Sequence, residues 1–200
     1  VVDSPTNGTA SSGGDAGGTV VGNYCCWNPI GTTSPIGTLS NGNLDFVSGN
    51  SGNCFRTGTI QVSSGKWYWE VTPTANAGNA SHGIDSTTTW SDAYNYLGNG
   101  KKRSNAGDVA YGSSYTNNDV IGVALDLDAG TLVFYKNGVS QGTAFSGLNK
   151  AFFPHIGLDA YGPGSVSYTT NFGARPFAFA APAGFRSLNT ANLPTSTILK

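Results

Sequence analysis

Alternating apolar and polar residues between positions 119 and 145 (DVIGVALDLDAGTLVFYKNGVSQGTAF) predict three consecutive β-strands. In the first run, Ile121, Val123 and Leu125 recur with a period of two, which places bulky side chains on one face of a strand. The tripeptide DAG then marks a turn, and TLVFY is a second run rich in β-branched and aromatic residues. The dipeptide NG that follows is a strong hairpin signal. The segment is therefore predicted to be an antiparallel meander whose apolar face must be covered by a second sheet.

A second strongly patterned strand is predicted at residues 65–71 (GKWYWEV). Trp67, Trp69 and Val71 share one face of this strand. Burying two indole rings in succession contributes several kcal/mol, since each ring removes more area from water than an aliphatic side chain. We therefore expect this strand at the centre of a sheet.

The remaining runs are short and recur at intervals of roughly 8–12 residues with turn signals between them, a spacing typical of a β-sandwich. The composition disfavours helices, because the chain has 29 glycines among 200 residues. We predict an all-β, antiparallel β-sandwich of two packed sheets with an almost complete lack of helix. The residues expected to be buried are Trp67, Trp69, Ile121, Val123, Leu125 and Phe134.

The predicted domain organisation has three parts. Residues 1–23, rich in Gly, Ser and Thr, form an extended N-terminal arm; residues 24–180 form the sandwich; residues 181–200 form a C-terminal tail or linker. The chain contains no methionine and begins and stops without a boundary signal, so we expect it to be processed or cut from a longer polypeptide.

Charge and hydropathy argue against several classes of partner. Charged residues make up 10% of the chain and the net charge is −1, so no electrostatic attraction to nucleic acid or to an anionic membrane is expected. No apolar run approaches the ~18 residues that membrane insertion needs, and no signal peptide is recognisable.

The three cysteines, Cys25, Cys26 and Cys54, cannot all pair within one chain. One interpretation is that they are buried free thiols. The alternative is one disulfide between Cys54 and either Cys25 or Cys26, which requires neighbouring strands. They form no CxxC motif and no Cys/His cluster, so no metal site is predicted.

Five motifs in order resemble the SPRY (B30.2-like) domain family over roughly residues 54–177. They are GKWYWEV at 65–71, DVIGVALD at 119–126, FYKNG at 134–138, PHIG at 154–157 and NFG at 171–173. The resemblance implies two antiparallel sheets packed face to face, binding through the loops at one end, no catalysis and no cofactor.

The flanking segments are similar to stretches around SPRY domains in phage structural proteins, notably tail or fibre proteins. This second resemblance implies a virion surface protein that binds a host-surface glycan or protein, contacts other virion subunits and forms a homo-oligomer. An alternative is a structural scaffold or decoration protein that assembles through its arm, residues 1–23.

The candidate binding residues lie in the least regular part of the chain, where sandwiches place recognition loops. Aromatic side chains there offer flat contact area at low entropic cost, and adjacent cations can fix acidic or hydroxyl-rich ligands. Because these positions are predicted to be turns, replacing Trp90, Lys101 and Lys102 together should leave stability nearly unchanged. The alternative is that the tyrosines are core residues of a strand and that the cations form a solvated turn. The candidates are Trp90, Tyr94, Tyr96, Lys101, Lys102, Arg103 and, at a second loop tip, Tyr161.

Catalysis has weaker support in the sequence. Asp126 and Asp128 could act as paired carboxylates on a glycan, but two aspartates beside a tight turn more often accept backbone N–H bonds. His82 or His155 could belong to a hydrolytic triad, but no nucleophile elbow frames either of them. The aspartates could also ligate calcium, but the twelve-residue loop pattern is absent. A glycan-cleaving enzyme is therefore the third interpretation, after a binding module and a scaffold.

Overall fold

The computed structural model describes residues 22–30, 37–49, 54–158 and 164–194, and it is a sandwich of two β-sheets. The predicted all-β, antiparallel fold is confirmed, and the helices of the described part are two single turns of 3₁₀-helix at Ala77–Asn79 and Thr190–Asn192. The predicted arm lies outside the described residues, except for Gly22 and Asn23. The strands are β1 (Gly37–Ser40), β2 (Asp45–Ser48), β3 (Phe55–Thr57), β4 (Lys66–Ala75), β5 (Ala80–Asp85), β6 (Ala93–Leu97), β7 (Lys101–Ser104), β8 (Gly107–Ala110), β9 (Ile121–Asp126), β10 (Thr131–Lys136), β11 (Val139–Ser146), β12 (Phe153–Leu158), β13 (Ser167–Asn171) and β14 (Arg186–Ser187).

The two sheets differ in size and in strand order. The larger sheet has the order β1-β2-β13-β4-β9-β10-β11, with β14 added beside β4. The smaller sheet has the order β3-β12-β5-β6-β7-β8. The predicted meander forms three adjacent strands of the larger sheet, β9, β10 and β11.

The core lies between the sheets, and the predicted central strand is at its middle. β4 pairs with β13 on one side and β9 on the other. The six residues predicted to be buried are all at most 2% exposed, which confirms that prediction. Trp69 and Val123 are direct cross-strand partners. Aromatic and aliphatic core residues are therefore neighbours within the larger sheet.

The predicted turn at Asn137 and Gly138 is confirmed and joins β10 to β11. Both residues have positive φ, 49° and 79°, as a two-residue hairpin turn of type I′ requires. The Asn137 side chain donates to Asp119 Oδ1 over 2.7 Å. This bond ties the hairpin to the start of the meander.

The outer face of β4 is covered by the chain itself. Tyr68 lies edge-on against Phe177, with ring centroids 4.9 Å apart. The Glu70 carboxylate accepts the backbone N–H groups of Ala178 and Phe179 over 2.8 and 2.9 Å. A Cβ on Gly122 would lie 2.4 Å from the Tyr68 hydroxyl, so the glycine leaves the space that this tyrosine occupies. Both faces of the central strand are therefore buried.

The C-terminal residues that the sequence assigned to a tail pack against the sandwich as far as the structure describes them. β14 pairs with β4 in parallel, the only parallel pair among the described strands. Leu188 is fully buried, and Asn189 forms an isolated bridge with Tyr24. The composition of this short segment predicted a linker. Its pairing could not be predicted locally, because its partner strand lies more than 100 residues away in the sequence.

Cys25, Cys26 and Cys54 are reduced thiols, and no disulfide joins Cys54 to Cys25 or Cys26. Cys25 and Cys54 are buried in the core. Burial raises the pKa of the Cys25 thiol to about 12. This thiol is therefore protonated at neutral pH and acts as a small apolar side chain.

Candidate binding surface

Trp90 lies in the loop of residues 86–92, between β5 and β6. Its backbone is left-handed, with φ 59°, a conformation that is unusual for a bulky residue and is retained only where the surroundings hold it. Its partly buried ring packs against the rings of Phe55 and His155, with centroid separations of 5.5 and 5.3 Å. Trp90 therefore closes over the outer face of the smaller sheet.

Short polar contacts hold this loop in shape. The Asp85 carboxylate accepts both the backbone N–H and the hydroxyl of Thr87 over 2.9 Å. At the other end of the loop, Asp92 accepts the Ser86 hydroxyl and forms an ion pair with Lys150 over 2.7 Å. Both ends of the loop are thus held by hydrogen bonds and an ion pair. This restraint on the hydroxyl-rich tip lowers the entropic cost of binding a ligand there.

A row of buried polar side chains lies under and beside the Trp90 ring. Thr57 on β3 is the cross-strand partner of His155 on β12, and Gly83 of β5 lies between His155 and Asn95 of β6. Across this glycine, His155 Nδ1 lies 3.1 Å from Asn95 Oδ1. Burial lowers the pKa of His155 to about 3, so the imidazole is neutral at pH 7. Several buried side-chain atoms here have no hydrogen-bonding partner in the described part of the chain: Thr57 Oγ1, Ser81 Oγ, Asp85 Oδ2, Asn95 Nδ2 and His155 Nε2.

The two candidate tyrosines belong to the core and not to an exposed surface. Tyr96 is fully buried among aromatic rings. Tyr94 is partly buried, edge-on to Phe145 and Phe152 at 5.1 and 5.8 Å. Both side chains point inward because the residues two apart on β6 share a face. This is the alternative that the sequence left open for them.

The three candidate cations lie on β7, where the sequence predicted a turn, and the period of two separates them. Lys102 points inward and donates to the Ala144 carbonyl. Its ammonium also lies 5.1 Å from the Phe145 ring centroid, a cation–π contact. Lys101 and Arg103 share the outer face, where Lys101 is exposed. Arg103 binds the Asp108 carboxylate through Nε and Nη2 over 2.5 and 2.8 Å.

Trp90, Lys101 and Arg103 therefore share one side of the molecule, the outer face of the smaller sheet. Asn105, in the turn between β7 and β8, donates to the Ser91 carbonyl over 3.0 Å and connects the hairpin to the Trp90 loop. We call residues 88–91 with Lys101, Arg103 and Asn105 the Trp90 surface. Tyr161 lies outside the described residues.

Sequence reasoning missed Asn105 and Asp108, which shape this surface. Their signal is the segment SNAG at 104–107 between two four-residue runs, a two-residue hairpin loop closed by a glycine with φ 100°. The strands on either side, KKRS and GDVA, consist of polar or small residues, so hydrophobic periodicity predicts no more than a short strand at residues 109–111 here.

The residues considered for catalysis have structural partners. Asp126 Oδ1 accepts the N–H groups of Asp128 and Ala129 in the turn, and Asp126 forms an ion pair with Lys66 over 2.9 Å. His82 Nδ1 lies 3.3 Å from the Tyr115 hydroxyl. Among the described residues, neither histidine is hydrogen-bonded to a serine hydroxyl, and no group of His, Cys, Asp and Glu could hold a metal ion. No helix in the described ranges is long and apolar enough to span a membrane.

The described residues thus form a two-sheet sandwich with an anchored aromatic loop above one outer face. The family model "SPRY domain" matches residues 66–175, more than half of the chain, so the chain belongs to the SPRY family. SPRY domains are protein-interaction modules.

The curated relatives are eukaryotic proteins. The chain is 32% identical over 173 residues to the Ran-binding proteins 9/10 homolog of Drosophila melanogaster, covering 77% of this chain and 18% of that protein. It is 31% identical to Ran-binding protein 9 of Xenopus tropicalis over 76% of this chain and 31% of that protein. It is 35% identical over 105 residues to the E3 ubiquitin-protein ligase RKP of Arabidopsis thaliana, covering 50% of this chain and 8% of that protein. The chain thus spans less than a third of each of these relatives.

Solved structures share the fold. The SPRY domain of human HERC1 superposes with a TM-score of 0.61 at 23% identity, covering 72% of this chain and 96% of that domain. Stonustoxin gives 0.58 at 21% identity, over 74% of this chain and 27% of that one. The TRIM65 PSpry domain gives 0.56 at 15% identity, over 74% of this chain and 92% of that domain.

Proposed function

We propose that this domain binds a protein partner through the Trp90 surface. The observation that carries the proposal is the left-handed Trp90, partly exposed and held over the outer face of the smaller sheet by an anchored loop. A rigid aromatic side chain of this kind provides contact area at low entropic cost, and tryptophan is enriched among the residues that dominate binding energy. Membership of the SPRY family favours a protein as the ligand.

The surroundings of Trp90 fit a protein surface. The exposed residues Thr88, Thr89 and Ser91 flank Trp90 in the loop, and Lys101 adds one positive charge on the same side. Polar groups around an aromatic centre match the usual anatomy of a protein interface, an apolar core with a polar rim. This chain matches only a part of the Ran-binding relatives and of the ubiquitin ligase, so their names identify no partner of this chain.

The place of the domain in a larger assembly stays a prediction from the flanking sequence. A virion surface location, a host-surface glycan or protein as ligand, and a homo-oligomer were expected from the flanking segments at residues 3–7, 22–24, 27–29 and 188–194, of which residues 3–7 lie outside the described ranges. The relatives named above come from animals and a plant, and their names give no support to a tail-fibre role.

A selection of random peptides displayed on bacteriophage tests the proposal, with the immobilised domain as bait. Enriched peptides are then measured by fluorescence anisotropy with the parent domain and with Trp90→Ala. Removing a central aromatic contact should weaken binding by about 2 kcal/mol or more, roughly 30-fold. Lys66→Ala removes a partly exposed cation, ion-paired with Asp126 on the other sheet, and serves as the control, with little expected effect on peptide binding.

A folding control is needed because Trp90 is not a free turn residue. Each of its ring contacts, with Phe55 and with His155, contributes about 0.5–1.5 kcal/mol. We therefore expect Trp90→Ala to lower stability, in contrast to the near-neutral effect that the sequence suggested for these positions. If the variant is folded by circular dichroism and binds every selected peptide as tightly as the parent, the Trp90 surface is not the binding site. Selection of no peptide, together with strong signals on a glycan array, would favour a glycan ligand.

A further inference from the structure

β8 is the last strand of the smaller sheet in the part of the chain that the structure describes, and all four of its residues are exposed. It pairs with β7 through a two-residue loop, with Ser104 opposite Gly107 next to the turn. In antiparallel pairs, hydrogen-bonded and non-hydrogen-bonded residue pairs alternate. The Tyr111 N–H donates to the Gly100 carbonyl over 3.2 Å. In the alternation set by this bond, Ser104 and Gly107 are a hydrogen-bonded pair, so Asp108 and Ala110 direct their backbone N–H and C=O groups away from β7. β8 therefore presents two donors and two acceptors at its outer edge.

Two other edges of the sandwich, those of β3 and β11, are protected. The free edge of β3 is covered by residues 26–28. In this segment, Asn28 donates its N–H to the Thr57 carbonyl over 2.9 Å. At β11, the side chains of Lys102 and Tyr111 donate to the carbonyls of Ala144 and Gly142, and the ladder with β10 has register shifts. Covering and bulging are common ways to prevent a strand edge from pairing.

β8 has none of these protections among the described residues. Its sequence, GDVA, contains no lysine and no proline, and its register with β7 is regular. The one charged residue, Asp108, is held by Arg103 in a two-bond ion pair. An extended segment can approach this edge without meeting a bulky or unpaired charged side chain.

We propose that β8 accepts an extended, acidic segment of a protein partner as an added strand. This inference rests on the proposed function, since it specifies how a protein ligand is held beside the Trp90 surface. Main-chain hydrogen bonds to an exposed edge provide affinity, and alternate side chains provide specificity.

The charge on the outer face selects for acidic residues. An added strand would lie two spacings from β7, roughly 9.6 Å away at about 4.8 Å per spacing. The extended side chain of Lys101 can reach across its small cross-strand neighbour Ala110 toward a carboxylate on the added strand. Lys101, Arg103 and Asp108 together leave one net positive charge on this face.

The other face of the edge selects for apolar residues. Val109 is 54% exposed there, and its cross-strand neighbour Lys102 covers the rings of Tyr111 and Phe145. An apolar side chain on the added strand would bury Val109. The fitting segment thus alternates apolar and acidic residues.

The experiment titrates the ¹⁵N-labelled domain with a capped peptide, Thr-Val-Glu-Val-Glu-Thr, and follows the amide signals by NMR. We expect the largest shifts at residues 107–110, and the exchange of the Asp108 and Ala110 amides with solvent should slow by about fivefold or more. A peptide with lysine in place of glutamate is the charge control and should bind several-fold more weakly.

Two further peptides test the strand geometry directly. One is N-methylated at both valine amides and the other at both glutamate amides. In an extended strand the amides of alternate residues point to the same side, so one of these peptides should lose binding and the other should retain it. Equal binding by both methylated peptides would overturn the proposal.

Chain variants complete the test. Ala110→Pro removes an outward N–H without removing a bond of the β7–β8 ladder, and we expect about tenfold weaker binding. Lys101→Glu should weaken binding of the glutamate peptide and strengthen binding of the lysine peptide. A folded Ala110→Pro domain that binds the glutamate peptide like the parent would also overturn the proposal.

The peptides from the display selection separate this proposal from the proposed function. Binding that is lost in Trp90→Ala and kept in Ala110→Pro would support the Trp90 surface as the binding site and contradict strand addition at β8. Binding that is unaffected in both variants would contradict both proposals. Loss in Ala110→Pro alone would support the edge and place the binding site away from Trp90.

Discussion

β4 and β8 both form antiparallel ladders, but they occupy opposite situations in the sandwich. β4 has neighbours along both edges, and both of its faces are covered, one by the core and the other by residues 177–179. β8 has a neighbour along one edge, and its residues are exposed. The comparison shows that a strand's contribution to stability or to binding depends on what covers its faces and its edges.

The largest effect is expected at the centre. Trp69→Ala should lower the free energy of unfolding by about 3–5 kcal/mol, because it removes a fully buried indole from close-packed surroundings. Val109→Ala is the matched edge variant and should change it by no more than about 0.5 kcal/mol. Urea unfolding gives the free energy of unfolding of each variant. Circular dichroism follows the transition in both variants, and tryptophan fluorescence follows it in Val109→Ala as well. Similar losses in both variants would contradict the distinction between centre and edge.

The middle strands of the smaller sheet predict a pH dependence. Burial lowers the pKa of His82 and of His155 to about 3 from an ordinary value of 6.5. The unfolded chain therefore takes up protons at these residues before the folded protein does, and stability is lost as pH falls below 6.5. Between pH 7 and pH 5 the loss should be about 2 kcal/mol for each histidine.

Urea midpoints at pH 7 and pH 5 measure this loss. His155→Gln, which keeps a polar side chain without the titration, should show about half of the parent's dependence. Equal midpoints for the parent at the two pH values would mean that the imidazoles are not buried as described.

The covered outer face of β4 provides the next effect. Glu70→Ala removes the acceptor of two backbone N–H groups and should cost about 1–3 kcal/mol. Glu70→Gln keeps one acceptor oxygen and should cost less. If both variants match the parent in urea, the segment at Ala178 and Phe179 does not depend on this carboxylate.

The sign of the pH effect at Glu70 is opposite to that of the histidines. Burial raises the pKa of its carboxyl above the ordinary value of 4.5, so its contribution to stability is present at low pH and is lost as pH rises through the folded pKa. Glu70→Gln lacks this gain on acidification. We therefore expect its stability to fall more steeply than the parent's between pH 7 and pH 5.

The smallest effect is expected at the edge hairpin. Arg103→Ala breaks the ion pair with Asp108, and partly exposed pairs of this kind contribute about 0.2–1 kcal/mol. The change in thermal midpoint should be correspondingly small, and smaller still in high salt. A loss as large as that of Trp69→Ala would show that the hairpin is part of the core's cooperative unit.

The amino-acid sequence determined the fold class, the central strand and the meander. These features depend on local patterns: a period of two in apolar residues and a turn at Asn137 and Gly138 that favours positive φ. Such local patterns can be recognised without knowing the contacts between distant parts of the chain. The burial of Trp67, Trp69 and Phe134 was predicted from them and is confirmed. The SPRY resemblance depended on the same strands, and the family match confirms it.

The tertiary structure alone decided which candidate binding residues reach the surface. Tyr96 is buried and Trp90 is partly exposed, although both are aromatic residues in an irregular part of the sequence. Lys101 and Lys102 are adjacent in sequence, yet they lie on opposite faces of β7, a polar strand that exists because β6 and β8 pair with it. The C-terminal strand β14 likewise depends on a partner more than 100 residues away. Pairing between distant strands leaves no periodic signal in the polar segments it orders, and for this reason the sequence located the core but not the surface.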